Sequence, residues 1–368
     1  MKYLFINSVY GVRSTGKIVA DQCHKLKAEG NECVVAYGRE GIPDSEIETI
    51  KIGTRFDYEF HALMTRCFDM LGFCSKRATK EFLKKVEQYQ PDVIWLHNLH
   101  GYYINIELLF GWLKKHPQIQ VYWTLHDCWA FTGHCAYFTM ARCHRWKNGC
   151  GKCIQLREYP KTFGFDFSER NYRRKKEAFR GISKMTIVSP SQWLADLTRE
   201  SFLKRYPVKV WHNDINHEVF KPRKSDFRNR YGLENKYIVL GVAVGWEKTK
   251  GYPDMLALRE KLSDRYEIVL VGVTEEQIEM IPKGVLGIPR TKNQIQLAEI
   301  YSAADVFVNP THQDNYPTVN LEAAACGIPV VTYDVGGSPE SAMKINVVRE
   351  NDIDGLARRV TAICERKR

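Results

Sequence analysis

Short apolar runs rich in Val, Ile and aromatic residues alternate along the chain with longer amphipathic stretches, and this alternation limits the accessible folds more than any other feature. Strands that read as unbroken apolar runs are buried on both faces, which requires helices over each side of a parallel sheet. In the first half, strands are predicted at residues 3–8, 32–37, 92–97, 120–125 and 184–189, with helices at 17–28, 56–88, 104–115, 169–180 and 191–202. In the second half, strands are predicted at 237–244, 266–271, 306–309 and 329–333, with helices at 251–262, 292–303, 317–326 and 353–366. Between the halves, a strand in Val208-Lys209-Val210-Trp211 leads to the polar stretch Lys221-Pro222-Arg223-Lys224-Ser225. At ~150 residues per domain, 368 residues suit two domains. The expected architecture is α/β, with two doubly wound domains, 1–210 and 211–368, facing a cleft. The last helix is expected to pack back on the first domain.

Composition narrows the partners. A hydrophobic content of 44% with 26% charged residues excludes a wholly disordered chain. The excess of 54 Lys and Arg over 43 Asp and Glu, a net charge of +11, points to an anionic partner. Nucleic acid is not expected, because the basic residues are dispersed and no nucleic-acid-binding motif is recognisable. The densest basic run, Arg170-Asn171-Tyr172-Arg173-Arg174-Lys175-Lys176, is either a dock for an anionic membrane surface or a solvated helix face. The apolar start at Tyr3-Leu4-Phe5-Ile6 is ended by Asn7 and Ser8, so it reads as a buried strand rather than a signal peptide. No run of about 18 apolar residues occurs. A cytoplasmic location is therefore expected, peripheral on the inner face of the membrane if the basic run docks there.

In doubly wound sheets ligands bind beyond the carboxyl ends of the strands, so the loops that follow strands are where chemistry is sought. The first, Gly11-x-x-x-x-Gly16-Lys17, has phosphate-loop spacing. Ile18 stands where a Mg²⁺-binding Ser or Thr is needed, which excludes a nucleoside triphosphatase. His126-Asp127 ends a strand and can point at a sugar or phosphate, and His97 and His100 end the strand before it. Residues 126–153 form a Cys-rich loop in which Cys135, Cys143, Cys150 and Cys153 suit a structural Zn²⁺ site. Disulfides and buried free thiols are the alternatives.

The second half carries the strongest pattern, Asn309-Pro310-Thr311-His312-Gln313-Asp314-Asn315-Tyr316-Pro317-Thr318-Val319-Asn320-Leu321-Glu322. Pro317 suits a first helical turn, and the amides of Thr318 and Val319 then face any anion held there. Asp314 and Glu322 place two acceptor carboxylates around that helix start. This arrangement suits a ligand with hydroxyls on both sides of a diphosphate, as in a nucleotide-sugar. Lys250, before Gly251, can supply positive charge opposite the helix start. Arg290, after Gly287-Ile288-Pro289, ends a short strand beside which a base can lie, and Gly336-Gly337 allow close backbone approach.

Together these residues resemble the retaining glycosyltransferases of family 4, which have the GT-B fold of two Rossmann-like domains. The most specific pieces are Asp314 through Gly337 and the run from Tyr301 to Pro310; the Cys-rich loop resembles a subgroup from bacterial exopolysaccharide, capsule and lipopolysaccharide clusters. The resemblance implies transfer of a hexose from a UDP- or GDP-sugar to a lipid-linked glycan acceptor, with no catalytic metal. It implies that Asp314 binds hexose hydroxyls, Glu322 the ribose, and Asn315, Tyr316, Thr318 and Val319 the diphosphate and hexose. It further implies that Lys250 stabilises the departing diphosphate, Arg290 flanks the base, Gly16 admits the diphosphate, and His126 lines the reacting sugar. Two positions depart from the family pattern. Asp314 replaces the usual Glu, and Gly245 stands where the family commonly has Arg, leaving Lys250, with Lys248, to carry the diphosphate charge. A nucleotide-sugar 2-epimerase of the same fold and an inactive nucleotide-sugar-binding protein are the alternative readings.

Overall fold

The computed structural model describes residues 1–366 and separates into two units, Met1–His212 and a second beginning at Asn213. The first contains β1 (Lys2–Asn7), α1 (Arg13–Ala28), β2 (Glu32–Tyr37), β3 (Glu48–Lys51), α2 (Arg55–Phe68), α3 (Lys76–Tyr89), β4 (Val93–Leu96), α4 (Ile106–Leu113), β5 (Gln120–Thr124), α5 (Ser168–Ala178), β6 (Met185–Ser189), α6 (Gln192–Glu200) and β7 (Val208–Val210). Its seven parallel strands lie in the order β3-β2-β1-β4-β5-β6-β7.

The second unit contains α7 (Phe227–Tyr231), β8 (Tyr237–Val242), α8 (Tyr252–Lys261), β9 (Tyr266–Val271), α9 (Glu275–Met280), β10 (Val285–Ile288), α10 (Gln294–Ala303), β11 (Val306–Asn309), α11 (Thr318–Ala325), β12 (Val330–Tyr333), β13 (Val347–Val348) and α12 (Ile353–Glu365). Its six parallel strands run β10-β9-β8-β11-β12-β13. Both units are Rossmann-like doubly wound sheets. The strand order reverses between β1 and β4 in the first and between β8 and β11 in the second. Loops that leave the strand ends at such a reversal diverge and open a crevice for ligands.

The central strands are largely apolar because each sheet is covered on both faces. In β8, Tyr237 and Val239 enter one core while Ile238 and Leu240 enter the other, the period-two alternation of a pleated strand. The predicted helix at 56–88 is two helices. Asp69 and Ser75 adopt left-handed backbone at φ 51 and 56, and Gly72 lies between them at φ 85, so the helical ladder cannot pass. The edge strand β3 was not predicted; its exposed and half-exposed side chains carry no apolar signature. Helix α12 buries Leu356, Val360 and Ile363 in the second unit's core, with Val331 and Tyr333.

Helix α5 turns part of the basic run 170–176 inward. Lys175 is buried, its ammonium donating to the carbonyls of Trp129 at 2.7 Å and Thr132 at 3.1 Å. Burial pushes its pKa down to about 7. Arg174 makes a two-pronged pair with Glu107 at 2.8 Å on both branches, and Arg170 donates to the Phe68 carbonyl at 3.0 Å. The basic residues that face inward here are struts rather than a solvated stripe. Lys175→Ala leaves two buried carbonyls unpaired and should lower unfolding free energy by roughly 2–4 kcal/mol. Urea titration checks this, and an unchanged midpoint would show that the strut contributes nothing.

Candidate active site

The two loops at the strand-order reversal of the second unit are locked together. Gly251, at φ 74, lies against the strand end after β11, and a Cβ placed there would stand 2.1 Å from the Pro310 carbonyl oxygen. The Thr249 carbonyl accepts from the backbone N–H of His312 at 2.9 Å and from the Thr311 hydroxyl at 3.2 Å. This docking places Lys250 Nζ 2.6 Å from Asp314 Oδ2. The pair is half-screened, with the Lys250 side chain 39% and the Asp314 side chain 19% exposed. The other Asp314 oxygen accepts the Asn315 N–H at 2.9 Å. A second glycine presses on this loop from the β12 side, since a Cβ on Gly336 (φ 59) would meet the Asp314 carbonyl oxygen at 2.0 Å.

Helix α11 starts right after this loop. Pro317 is its N-cap rather than its first helical residue, and the first turn holds neither a side-chain cap nor an acidic residue. The positive end of the helix dipole therefore keeps its capacity for an anion. Asn315 and Tyr316 are buried beneath it. One turn on, Glu322 Oε2 accepts from the Tyr301 hydroxyl at 3.1 Å; burial, with the Glu322 charge adding to it, pushes that phenol well above its ordinary pKa. Lys250, Asp314, Asn315, Tyr316, Thr318, Val319 and Glu322 thus belong to one loop–helix constellation. Arg290 is exposed just beyond the end of β10. Gly245, where the family pattern has Arg, adopts φ 100, a conformation that side-chain-bearing residues rarely take.

A buried network behind the loop escaped the sequence. His312 is bonded through Nδ1 to Glu350 at 2.7 Å and through Nε2 to Asp254 at 3.1 Å, and Asp254 also accepts from the Tyr333 hydroxyl at 2.7 Å. The bond to Asp254, followed by that to Glu350, raises the His312 pKa against the opposing effect of burial. Burial pushes the Asp254 carboxyl up, but the bonds from His312 and Tyr333 outweigh it and hold it below its usual range. Beside it, buried Asn320 accepts from Asn309 at 2.9 Å and donates to Ser341 at 2.8 Å, tying α11 to β11 and the 338–341 turn.

In the first unit, the histidines at the ends of β4 and β5 meet. His97 Nδ1 lies 3.0 Å from His126 Nε2, the rings stacked at 5.3 Å. His100 lies 2.7 Å from Asp127, with its other nitrogen 3.0 Å from the Tyr159 hydroxyl. Burial lowers the His126 pKa to about 4, which favours the neutral ring. Burial pushes Asp127 up, yet its contacts with His100 prevail and lower it. Gly16 sits inside α1, and its carbonyl accepts the Gly11 N–H at 3.0 Å. A Cβ there would come within 3.1–3.3 Å of Val9 and Gly11, so this glycine lets the helix pack on its own loop.

Cys135, Cys143, Cys150 and Cys153 are free thiols lining one small cavity. Burial pushes the Cys135 thiol up to about 12 and those of Cys150 and Cys153 to about 11. The expected Zn²⁺ cage is not assembled: among the described residues no three His, Cys, Asp or Glu side chains form a group that could hold a metal ion. The loop has other supports. Phe131, Phe138 and Trp146 pack together, buried His134 bonds Asp69 at 2.8 Å, and Lys175 holds Trp129 and Thr132.

Two doubly wound parallel-sheet domains of this kind define the GT-B class of fold. Among solved structures the whole chain resembles sucrose-phosphate synthase from Thermosynechococcus elongatus, with a TM-score of 0.70 at 17% identity over 99% of this chain and 90% of that one. It also resembles Anabaena HepE in complex with UDP, with a TM-score of 0.66 at 15% identity over 100% of this chain and 91% of that one. Residues 236–366, within the second unit, match the family model of group 1 glycosyl transferases. The chain is 27% identical over 264 residues to WcaC of Escherichia coli, a glycosyl transferase named for colanic acid biosynthesis, covering 69% of this chain and 62% of that protein. It spans less than two thirds of the length of the curated relatives it matches.

Two outcomes are expected. Gly251→Ala forces the Lys250 turn off the Pro310 carbonyl and should cost more than about 1 kcal/mol of stability, seen as a lowered melting temperature. For His312, whose native pKa is raised, the stabilisation is complete below its unfolded value of ~6.5 and is lost as pH rises through the native value. The stability gap between wild type and His312→Gln should therefore narrow from pH 6 to pH 9; a constant gap would exclude this linkage.

Proposed function

We propose that the chain is a retaining glycosyltransferase that moves a hexose from a UDP- or GDP-sugar to a hydroxyl of a lipid-linked glycan in bacterial polysaccharide synthesis. The observation that carries this reading is the convergence of Lys250, Asp314 and the α11 start at one strand-order reversal, with Glu322 one turn along the helix. HepE, of the same fold, was crystallised with UDP, and WcaC is named for a polysaccharide pathway.

In this reading the diphosphate lies at the α11 N-terminus, where backbone N–H groups and the helix dipole offset its charge. Lys250 adds a full positive charge as the bond from the anomeric carbon to the diphosphate oxygen breaks, an interaction that strengthens as charge develops. Asp314, held by Lys250, accepts hydrogen bonds from hexose hydroxyls. Glu322, oriented by Tyr301, does the same for the ribose. The acceptor oxygen bonds the anomeric carbon on the face that the diphosphate leaves, and its proton passes to the departing diphosphate. This accounts for retention without an enzymic nucleophile.

Heat-shift screening against UDP, GDP and their hexose conjugates should identify the base through stabilisation by one series. With that donor, Lys250→Ala and Asp314→Ala should each lower turnover by about 10²–10³ while the melting temperature of the free protein changes little. Full activity in both variants would refute the assignment.

A further inference from the structure

At the strand-order reversal of the first unit, a polar chain that the donor loop does not use runs from Asp127 through His100 to Tyr159. His100 Nε2 lies 2.7 Å from Asp127 Oδ2, and its Nδ1 lies 3.0 Å from the Tyr159 hydroxyl. The other Asp127 oxygen accepts the Trp129 N–H at 2.9 Å. An ionised carboxylate can only accept hydrogen bonds, so the His100 ring directs its Nε2 proton at Asp127. In its neutral form the ring then has only a lone pair at Nδ1. Tyr159 fills that place by donating its hydroxyl hydrogen, which leaves the phenolic oxygen as an acceptor. Tyr159 is 39% exposed, and among the described residues its hydroxyl has no second hydrogen-bond partner. A group outside the chain that meets this oxygen has to donate.

A cation stands beside this chain. Arg39 follows β2 and is half-buried, and a Cβ on Gly101, next to His100, would lie 3.4 Å from its Cδ. Its guanidinium lies over the Tyr58 ring, 5.3 Å from the centroid, and among the described residues no carboxylate pairs with it. The adjacent Glu40 is taken by Arg13 at 3.0 Å, and Asp127 is covered by His100. Tyr102, held at φ 69, meets Tyr58 edge-on at 5.6 Å. Burial raises the pKa of the Tyr102 phenol, and the charges of Arg66 and Arg39 pull against it with no carboxylate acting on that group. Burial, then Tyr102 and Asp127, raises that of Tyr159, and Arg39 again opposes. The pocket wall is thus tyrosine rings with polar tips, beside an arginine whose charge no partner offsets.

We propose that Tyr159, oriented by His100 and Asp127, forms with Arg39 a binding site for a sugar ring that carries an anionic group. The phenolic oxygen accepts the hydrogen of a ring hydroxyl, and the guanidinium pairs with a carboxylate or phosphate on the same ring. The planar fork of Arg39 matches either anion through two parallel hydrogen bonds, whereas a neutral sugar leaves that charge unused. His100 and Asp127 are positioning residues, which act by fixing which way the Tyr159 hydroxyl points. The binding stands on the geometry of the first unit alone. Its meaning as the acceptor site, with an acidic or phosphorylated sugar as the acceptor class, rests on the proposed glycosyltransferase function.

The test is saturation-transfer NMR titration of the full chain with methyl β-D-glucuronide, glucose 1-phosphate and methyl β-D-glucoside, in the presence of excess UDP and GDP to occupy the donor loop. One anionic sugar should bind about fivefold or more tighter than the neutral glucoside, and which of the two it is tells carboxylate from phosphate. Arg39→Gln should bring the preferred sugar down to the level of the glucoside. Tyr159→Phe keeps the ring and removes only the hydroxyl, and should weaken the preferred sugar roughly fivefold with an unchanged melting temperature. His100→Phe should weaken it to a similar extent, and His100→Phe with Tyr159→Phe no further than either alone, because the hydroxyl contributes only when oriented. Equal binding of the three sugars, binding of none, or wild-type affinity in Tyr159→Phe overturns the proposal. Heat shifts with UDP and GDP should be the same in all of these variants as in wild type. A wild type that binds an anionic sugar but no nucleotide contradicts the donor assignment and upholds this site.

Discussion

The contact between Gly251 and the Pro310 carbonyl is the constraint on which the rest of the site depends. It brings the turn after β8 onto the end of β11, and only a residue without a Cβ permits so close an approach. Once the two loops touch, the Thr249 carbonyl can take its two hydrogen bonds and Lys250 reaches Asp314. Gly336 repeats the device from the other side of the Asp314 loop. A cation, a carboxylate and a helix start are thus gathered by backbone packing, and packed backbone holds position more tightly than long side chains do.

Buried polar bonding then stiffens the loop from behind. His312 spans Asp254 and Glu350 while Asn320 spans Asn309 and Ser341, so the segment between β11 and α11 is tied to α8, β12 and the turns after it. The first unit builds its strand ends by the same logic: His97 pairs with His126, and His100 with Asp127. In both units the charged and titratable side chains cluster where the parallel strands end, because apolar side chains fill the sheet faces and leave the loops as the place where polar groups remain accessible.

Much of this architecture is legible in the sequence. The strands Glu32–Tyr37, Tyr266–Val271 and Val306–Asn309 coincide with their predicted ranges, since the buried part of each is a short run of apolar residues. What stayed hidden follows from long-range packing. The β3 edge strand lacks buried side chains, and the break between α2 and α3 depends on left-handed residues such as Asp69 that are not themselves helix breakers. Lys175 sits in a run of cations and is nevertheless buried, because two carbonyls 46 and 43 residues away claim its ammonium. The Asp314 segment was recognisable as a loop entering a helix. Its pairing with Lys250, 64 residues away, was expressed only as two charges near one ligand. His312 carried no signal at all, its partners lying 58 and 38 residues away.

The central claim is that Lys250 and Asp314 work as one unit at the donor-binding loop. A double-mutant cycle on nucleotide-sugar affinity, with Lys250→Met, Asp314→Asn and both together, measures this coupling in one calorimetric experiment. The two changes should be strongly non-additive, with an interaction energy of about 1 kcal/mol or more. Losses that simply add, within about 0.3–0.5 kcal/mol, would contradict the claim, as would affinities that neither substitution alters.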